Sequence, residues 1–298
     1  MRVVRTPATG LQLTTQQLEY LVAIDRHDTW GEAAAAVGVS PSALSQGIAE
    51  LERRLGMQLF ERDGRRRVPS RDHAPVLRYA EATVAATRDL ARWLAARRTG
   101  TTGVVRLGMI DAAATHHFRD VLRAHRRQRP DVDLLLAVDP SRPLLERLGR
   151  AELDLVVCVE SDDLPGGITT QPLLDDPLSV LAPGDSLDAP PADWGPWVTF
   201  PAGSHTRDVI ADSLRRAGAG FEVVAESNQP EVLREMVLLG VGWTVLPLAG
   251  LGPVDGLRVV RRDLVVRRLV LARRADARPD PAVDELAGAL LAGVRTGS

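Results

Sequence analysis

The chain has 298 residues, 45% of them hydrophobic, and its 37 basic and 39 acidic side chains give a formal net charge of −2. This length predicts two or three domains, and the composition is ordinary for a soluble globular protein. No apolar run reaches the ~18–20 residues of a membrane-spanning helix, and the first residues lack the pattern of a secretory signal, so we expect a cytoplasmic protein without membrane contact. The single cysteine, Cys158, excludes an internal disulfide and fits a reducing compartment.

The N-terminal part of the chain predicts three short helices with tight connections. Thr14 is placed to cap the first helix, and a second runs from about Trp30 to Val37, where Gly38 supplies a positive φ. Ser40 is placed to cap a third helix, which has Pro41 in its first turn. The third helix has an apolar face of Leu44, Ile48, Leu51 and Leu55 and a small polar face of Ser42, Ser45, Gln46 and Ala49. Two helices joined by a glycine-containing turn predict a helix-turn-helix, whose second helix enters the DNA major groove.

A basic segment follows the third helix. Between Arg53 and Arg71, seven arginines meet two acids, so nineteen residues carry a net charge of +5. Within it, Asp63-Gly64 signals a β-hairpin tipped by arginines, a wing that reaches phosphates or a minor groove. The candidate DNA contacts are Ser40, Ser42, Ser45, Gln46, Arg53, Arg65, Arg66 and Arg67. The alternative is a small helical bundle with a solvated basic loop.

Residues 16–70 resemble the DNA-binding domain of LysR-type transcriptional regulators over a gapless stretch. The residues that carry the resemblance include Leu18, Leu21, Val22, Ala33, Ala34, Ala35, Val39, Ser40, Ala43, Leu44, Ser45, Ile48, Leu51, Glu52, Leu55, Gly56, Leu59, Phe60, Glu61, Arg62 and Arg67. Two positions depart from the family pattern: Pro41-Ser42 stands where Gln-Pro is frequent, and Gly47 stands where a larger polar residue is usual. Glycine costs a helix interior about 1 kcal/mol relative to alanine.

Residues 73–98 predict one long helix. Two rows of small or apolar side chains recur in it every seven residues, Leu77, Val84 and Ala91 in one and Ala80, Thr87 and Leu94 in the other. Such a seam pairs with another helix or packs on the chain's own domains, and the resemblance implies a dimerising linker helix. We therefore divide the chain into a winged helix-turn-helix domain (1–72), a linker and dimerisation helix (73–98) and an effector-binding domain (99–298).

From Val104 onward, strand-like and helix-like segments alternate, which predicts a parallel sheet with helices outside it. The predicted strands cover 104–109, 132–138, 153–159, 178–181, 197–200, 222–226, 243–246 and 265–272, and the predicted helices cover 115–128, 144–150, 206–217, 231–239 and 283–294. This part resembles the type-II periplasmic-binding-protein fold of LysR-type effector domains in Leu107-Gly108, Pro130-Asp131-Val132 and 240–247. The expected fold is α/β, with an all-α winged helix-turn-helix before a two-lobed effector domain.

Ligands of such domains bind between the lobes, at the carboxyl ends of the parallel strands. The candidate effector contacts on loops at these ends are Ile110, Asp111, Ala112, Ser204, His205, Thr206, Ser227, Asn228 and Trp243. The alternatives are plain helix capping for Ser204, Thr206 and Ser227, and a solvated loop position for Asp111.

The Asp111 carboxylate suits an amine better than an acid. Alanines at positions 112–114 replace the small hydroxyl residues that relatives often have in this loop, which argues against a carboxylate effector. His116 and His117 point about 100° apart on a helix and no further ligand pattern follows, so we expect no metal and no other cofactor. Cys158 lies in an apolar strand and is expected to be a core residue rather than a redox switch.

These features predict a sequence-specific DNA-binding transcriptional regulator controlled by a small-molecule effector, and not an enzyme. The sequence has no nucleophile elbow, phosphate loop or dinucleotide fingerprint. The expected partners are double-stranded DNA with an interrupted inverted repeat, the effector, and further copies of the chain in a homodimer or a dimer of dimers. The alternatives are an architectural DNA-binding protein without a ligand and, less favoured, an enzyme built on the α/β domain.

Overall fold

The computed structural model describes residues 12–63, 66–99, 103–249, 251 and 255–293. The chain separates into two compact units, an N-terminal unit of residues 1–94 and a C-terminal unit of residues 95–298. The predicted fold class is confirmed, because helices and a small hairpin form the first unit and a mixed α/β domain forms the second.

The N-terminal unit begins with three capped helices, α1 (Thr15–Arg26), α2 (Trp30–Ala36) and α3 (Pro41–Leu55). Thr14 and Thr29 each close a capping box, and the Ser40 hydroxyl accepts a hydrogen bond from the Ala43 N–H at 3.2 Å. These bonds satisfy N–H groups that a helix start leaves without partners. The turn into α3 passes through Gly38 at a φ of +69°. The three helices start where the sequence predicts them.

A β-hairpin and a long helix complete this unit. Strand β1 (Phe60–Asp63) pairs antiparallel with β2 (Arg66–Pro69), as the hairpin signal predicts. Asp63 of the predicted Asp63-Gly64 turn signal ends β1, while Gly64, Arg65 and the side chains of Asp63 and Arg66 lie outside the described part of the chain. Helix α4 (His73–Thr99) follows, and the part of it up to Leu94 belongs to this unit.

The seam predicted along α4 is partly wrong. Ala80 and Val84 are buried in the core of the N-terminal unit, and Leu77 packs against the same core. The first half of the seam therefore packs within the chain. Leu94, at the far end of the seam, is exposed, and the other exposed apolar side chains of α4 lie outside the predicted rows, at Tyr79, Leu90 and Trp93.

The described part of the C-terminal unit contains β3 (Val104–Met109), α5 (Arg119–Gln128), β4 (Asp133–Val138), α6 (Ser141–Gly149), β5 (Leu155–Val159), β6 (Ile168–Pro183), β7 (Trp197–Thr199), α7 (His205–Arg216), β8 (Val223–Glu226), α8 (Pro230–Leu238), β9 (Thr244–Leu246), β10 (Leu257–Arg274) and α9 (Pro281–Gly293). Strands β4, β3 and β5 are parallel, as predicted. Strand β10 joins them antiparallel, so the strand order is β4-β3-β5-β10-β6-β9.

Two long strands correct the predicted topology. Strands β6 and β10 have 16 and 18 residues and pair antiparallel along most of their length. The shorter strands predicted at 178–181 and 265–272 are segments of them. Both long strands contribute to two separate apolar cores, one with β3, β4 and β5 (the first lobe) and one with β7, β8 and β9 (the second lobe). Helix α9 packs in the first lobe.

The helix predicted over 115–128 is interrupted. Residues Ala113–His117 form a π-helical turn, and α5 begins only at Arg119. Phe118 separates the two because its ring is buried in the first lobe while its backbone leaves helical geometry, with φ −116° and ψ 5°. Such π-helical turns are frequent at functional sites, and this one directly follows the loop that carries Asp111.

Candidate functional site

Helix α3 has one buried and one open face. Leu44, Ile48 and Leu51 are fully buried, while Ser42 and Gln46 are exposed and Ser45 is half-buried. Over positions 42–49, the exposed face therefore carries small side chains and one amide, that of Gln46, which can form two hydrogen bonds with adenine. It has the shape and chemistry that a major-groove helix requires.

Gly47 has a packing role that its sequence position did not reveal. A Cβ atom built on Gly47 would lie 2.5 Å from Cδ2 of Tyr20, closer than real Cβ contacts allow. The Tyr20 ring thus packs directly against the backbone of α3 and anchors it to α1. Any residue with a Cβ atom would block this contact, so α3 has glycine here although glycine lowers its helix propensity.

Arg53 lies on α3 beside an acid on the same helix. Its Nε and Nη2 atoms each lie 2.6 Å from Glu50, and Arg54 Nε also donates to Glu50 at 2.6 Å. Hydrogen bonds from Arg53 and Arg54 lower the pKa of Glu50 to about 2. The three side chains together carry one positive charge, and Arg53 is held in place at the end of the exposed face.

The hairpin places like charges opposite one another. Arg62 on β1 and Arg67 on β2 are cross-strand partners, and both are exposed. The Arg67 guanidinium lies 4.5 Å from the centroid of the Trp30 ring, a cation–π contact that fixes its position. Like charges across a strand pair are unfavourable without a counter-ion, so the Arg62–Arg67 pair is suited to an anionic partner such as a phosphate.

A cleft of about 340 Å³ opens within the C-terminal unit, a volume suited to a small molecule. Its lining residues come from both lobes: Ile110, Asp111, Ala112, Val138, Asp139, Pro140, Ser141, Phe200, Ser204, Thr206, Asn228, Gln229, Pro230, Glu231, Pro247 and Arg267. Six of the candidate effector contacts thus come together, at Ile110, Asp111, Ala112, Ser204, Thr206 and Asn228.

Three other candidates, His205, Ser227 and Trp243, are not among the lining residues. His205 is buried, and the Ser227 hydroxyl accepts a hydrogen bond from the Gln229 N–H at 3.1 Å, so it caps the turn before α8. Trp243 is buried against two other tryptophan rings. Ser204, by contrast, makes no side-chain capping bond to α7.

Several lining residues were missed by sequence reasoning. Asp139 and Ser141 directly follow β4. Because ligands bind at the carboxyl ends of parallel strands, the loop after β4 could have been predicted as a binding loop in the same way as the loop after β3. Glu231 lies in the first turn of α8, next to a loop already selected. Arg267 lies inside the long strand β10, and no local pattern marks it as a cleft residue.

A buried polar network lies beneath the cleft. Arg267 and Asp176 pair across β10 and β6 with an Nη2–Oδ2 distance of 2.7 Å, at 4% and 1% side-chain exposure. Arg267 Nη1 also donates to the Thr206 hydroxyl at 3.1 Å, and His117 Nε2 lies 3.3 Å from Asp176 Oδ1. Burial acts to raise the pKa of Asp176, but the hydrogen bond from His117 and the charge of Arg267 outweigh it and hold that pKa below its usual value. The network ties the π-helical turn, both long strands and α7 together.

Within the described residues, no three His, Cys, Asp or Glu side chains are grouped so that they could hold a metal ion. None of the helices in the same part of the chain combines the length and the apolar character needed to cross a membrane. Cys158 is fully buried in β5, and burial raises its thiol pKa to about 12.

Comparison with known proteins finds family matches in both units. Residues 15–72 match the bacterial regulatory helix-turn-helix protein, lysR family, and residues 98–295 match the LysR substrate binding domain. The HTH-type transcriptional regulator XapR of Escherichia coli (strain K12) is 30% identical over 77% of this chain and 80% of its own. A probable hydrogen peroxide-inducible genes activator of Streptomyces viridosporus is 28% identical over 95% of each chain.

Two solved structures share the fold. A full-length OxyR variant from Pseudomonas aeruginosa matches with a TM-score of 0.60 at 21% identity, over 95% of this chain and 94% of its own. Full-length LysG from Corynebacterium glutamicum with bound effector Arg matches with a TM-score of 0.59 at 19% identity, over 95% of this chain and 98% of its own.

Proposed function

The chain belongs to the LysR family of bacterial transcriptional regulators, and we propose that a ligand in the cleft controls how α3 and the hairpin engage DNA. The observation that carries this proposal is the cleft itself, because both lobes contribute its lining. A ligand that contacts both lobes favours one lobe arrangement over others, and only such a difference can alter DNA binding. We propose that the protein does this in the cytoplasm, as a regulator and without a catalytic step.

On the DNA side, we propose that Ser42, Ser45 and Gln46 approach the base edges. The arginines of the hairpin, with Arg53 at the end of α3, approach phosphates. The Ser40 hydroxyl already caps α3, so Ser40 contributes through the helix start it stabilises, where free N–H groups attract a phosphate.

The sensing chemistry differs from thiol oxidation. Relatives named as hydrogen peroxide-inducible genes activators are among the similar proteins. This chain has one cysteine, so a disulfide within the chain is impossible, and the buried Cys158 has a raised thiol pKa. Oxidation requires an accessible thiolate. We therefore propose that occupancy of the cleft, and not oxidation of Cys158, is the signal.

We propose that copies of the chain pair through the exposed apolar face of α4, at Tyr79 and Leu90. Tyr79, Ala86 and Trp93 recur every seven residues, and Leu90 lies one turn before Trp93. A twofold dimer presents two α3 helices, so the operator is an interrupted inverted repeat. A tetramer then arises as a dimer of dimers.

Replacing Gln46 with alanine is expected to relax the base preference at one position in each half-site. Loss of a bidentate contact to adenine costs about 1–3 kcal/mol at that position and leaves binding to other sequences unchanged. The measurement is DNA selection from a random pool, followed by affinity for single-base variants of the selected site. Gln58→Ala, an exposed glutamine beyond the end of α3, is the matched control. Unchanged base preference in the Gln46 variant would show that α3 does not read the site through this amide.

A further inference from the structure

Two carboxylates in the cleft have no hydrogen-bond or ion-pair partner among the described residues. They belong to Asp111, which follows β3 in the first lobe, and Glu231, in the first turn of α8 in the second lobe. The other charged lining residues are matched. Asp139 pairs with Arg147 at 3.0 Å, and Arg267 pairs with Asp176 at 2.7 Å. The lining of the cleft therefore retains two negative charges.

The two carboxylates act on each other across the cleft. Burial raises the pKa of Asp111 above its usual value and the charge of Glu231 raises it further, against smaller opposing effects of His116 and Arg267. The helix dipole favours an acid in the first turn of a helix, and this explains Glu231 without any ligand. It does not account for a second, half-buried acid that faces Glu231 from the other lobe.

The remaining lining suits an organic cation. Val138, Phe200 and Pro247 offer apolar contacts to a hydrocarbon stem. Arg267 is 4% exposed, yet it lines the cleft, as does Thr206. These two side chains place hydrogen-bond donors in the cleft lining, away from the two carboxylates. A simple metal ion would find only two unpaired carboxylates, and no three His, Cys, Asp or Glu side chains among the described residues are grouped to hold one.

We propose that the effector carries a protonated amine or guanidinium group that binds between Asp111 and Glu231, with an apolar stem and a hydrogen-bond acceptor toward Arg267. This inference rests on the proposed function, because it identifies the chemical class of the ligand of the same cleft. Closing both lobes on one cation also links ligand binding to the lobe arrangement, since each lobe supplies one of the two carboxylates.

The first test needs no ligand. Asp111→Asn removes a charge that the empty cleft destabilises, so the melting temperature of the ligand-free full chain is expected to rise by about 2–4 °C. Asp139→Asn is the control within the same cleft, because its carboxylate is already paired with Arg147, and no rise is expected. A melting temperature that is unchanged or lowered in Asp111→Asn overturns the inference.

The second test uses calorimetric titration of the full chain with putrescine, agmatine and L-arginine, and with 1,4-butanediol and succinate as uncharged and anionic comparisons. At least one of the three cations is expected to bind, and Asp111→Asn and Glu231→Gln are each expected to weaken it about tenfold or more. Glu235→Gln, one turn along the same helix and outside the cleft lining, is expected to bind like the wild type.

The outcomes separate the two proposals. Binding of none of the cations, equal binding in both variants, or binding of succinate at these residues overturns the cation inference. If a neutral or anionic compound binds in the cleft and changes DNA affinity, the cation inference fails while the proposed function stands. If a cation binds as expected and DNA affinity never changes, the ligand class holds and the proposed function fails.

Discussion

Replacing Asp176 with asparagine is expected to lower the free energy of unfolding of the C-terminal unit by about 3–5 kcal/mol. The change leaves the Arg267 guanidinium at 4% exposure without a counter-charge, and it weakens the hydrogen bond from His117. A buried charge that loses its partner cannot recover its hydration. The measurement is thermal or urea unfolding of the purified chain, followed through the transition of the C-terminal unit.

Asp175→Asn is the matched control, because Asp175 is the neighbouring residue on β6 and its ion pair with Arg268 is about half exposed. Exposed ion pairs contribute about 0–1 kcal/mol. Replacing both members of the buried pair, in Asp176→Leu with Arg267→Met, is expected to restore much of the stability, because an apolar pair leaves no charge unmatched. Equal effects of Asp176→Asn and Asp175→Asn would contradict the described role of the network.

Replacing Gly47 with alanine is expected to have the second large effect, a loss of stability of the N-terminal unit. Alanine has the higher helix propensity, by about 1 kcal/mol, but its Cβ would lie 2.5 Å from the Tyr20 ring. Overpacking of this kind costs about 1–3 kcal/mol, so we expect a net loss of stability together with weaker DNA binding as α3 shifts. Unfolding of the N-terminal unit and DNA affinity measure the two effects.

Gly31→Ala on α2 is the control for the Gly47 substitution. The nearest atom to a Cβ on Gly31 is the Thr29 hydroxyl oxygen at 3.9 Å, so alanine fits there and is expected to stabilise the helix. Tyr20→Leu is expected to relieve the clash when combined with Gly47→Ala. An increase in stability in Gly47→Ala alone, similar to that of Gly31→Ala, would show that the ring does not hold α3.

Local signals made the N-terminal unit predictable from sequence. Thr14 and Ser40 cap helices through bonds to residues three positions further on, and the Asp63-Gly64 hairpin signal acts over two residues. The role of Gly47 was not predictable in the same way. Its contact with Tyr20 joins two helices that are distant along the chain, and the sequence offered only a lowered helix propensity.

Long-range pairing limited the prediction of the C-terminal unit. Strands β6 and β10 extend beyond their most apolar segments because each stabilises the other along its length, and only those segments stood out in the sequence. The loop rule located Ile110, Asp111 and Asn228 at the cleft, whereas Arg267 reaches it from the middle of a strand. Along α4, a seven-residue period marked two rows without showing that the first half of both rows packs within the N-terminal unit.

The most direct test of the account is the affinity of the full chain for its own operator, measured with and without a compound that raises the melting temperature of the C-terminal unit. We expect the compound to change DNA affinity about fivefold or more. Ser204→Ala combined with Asn228→Ala is expected to abolish this response while leaving ligand-free DNA affinity unchanged, because both side chains line the cleft and neither is in the N-terminal unit. A double variant that responds to the compound as the wild type does would contradict control through the cleft.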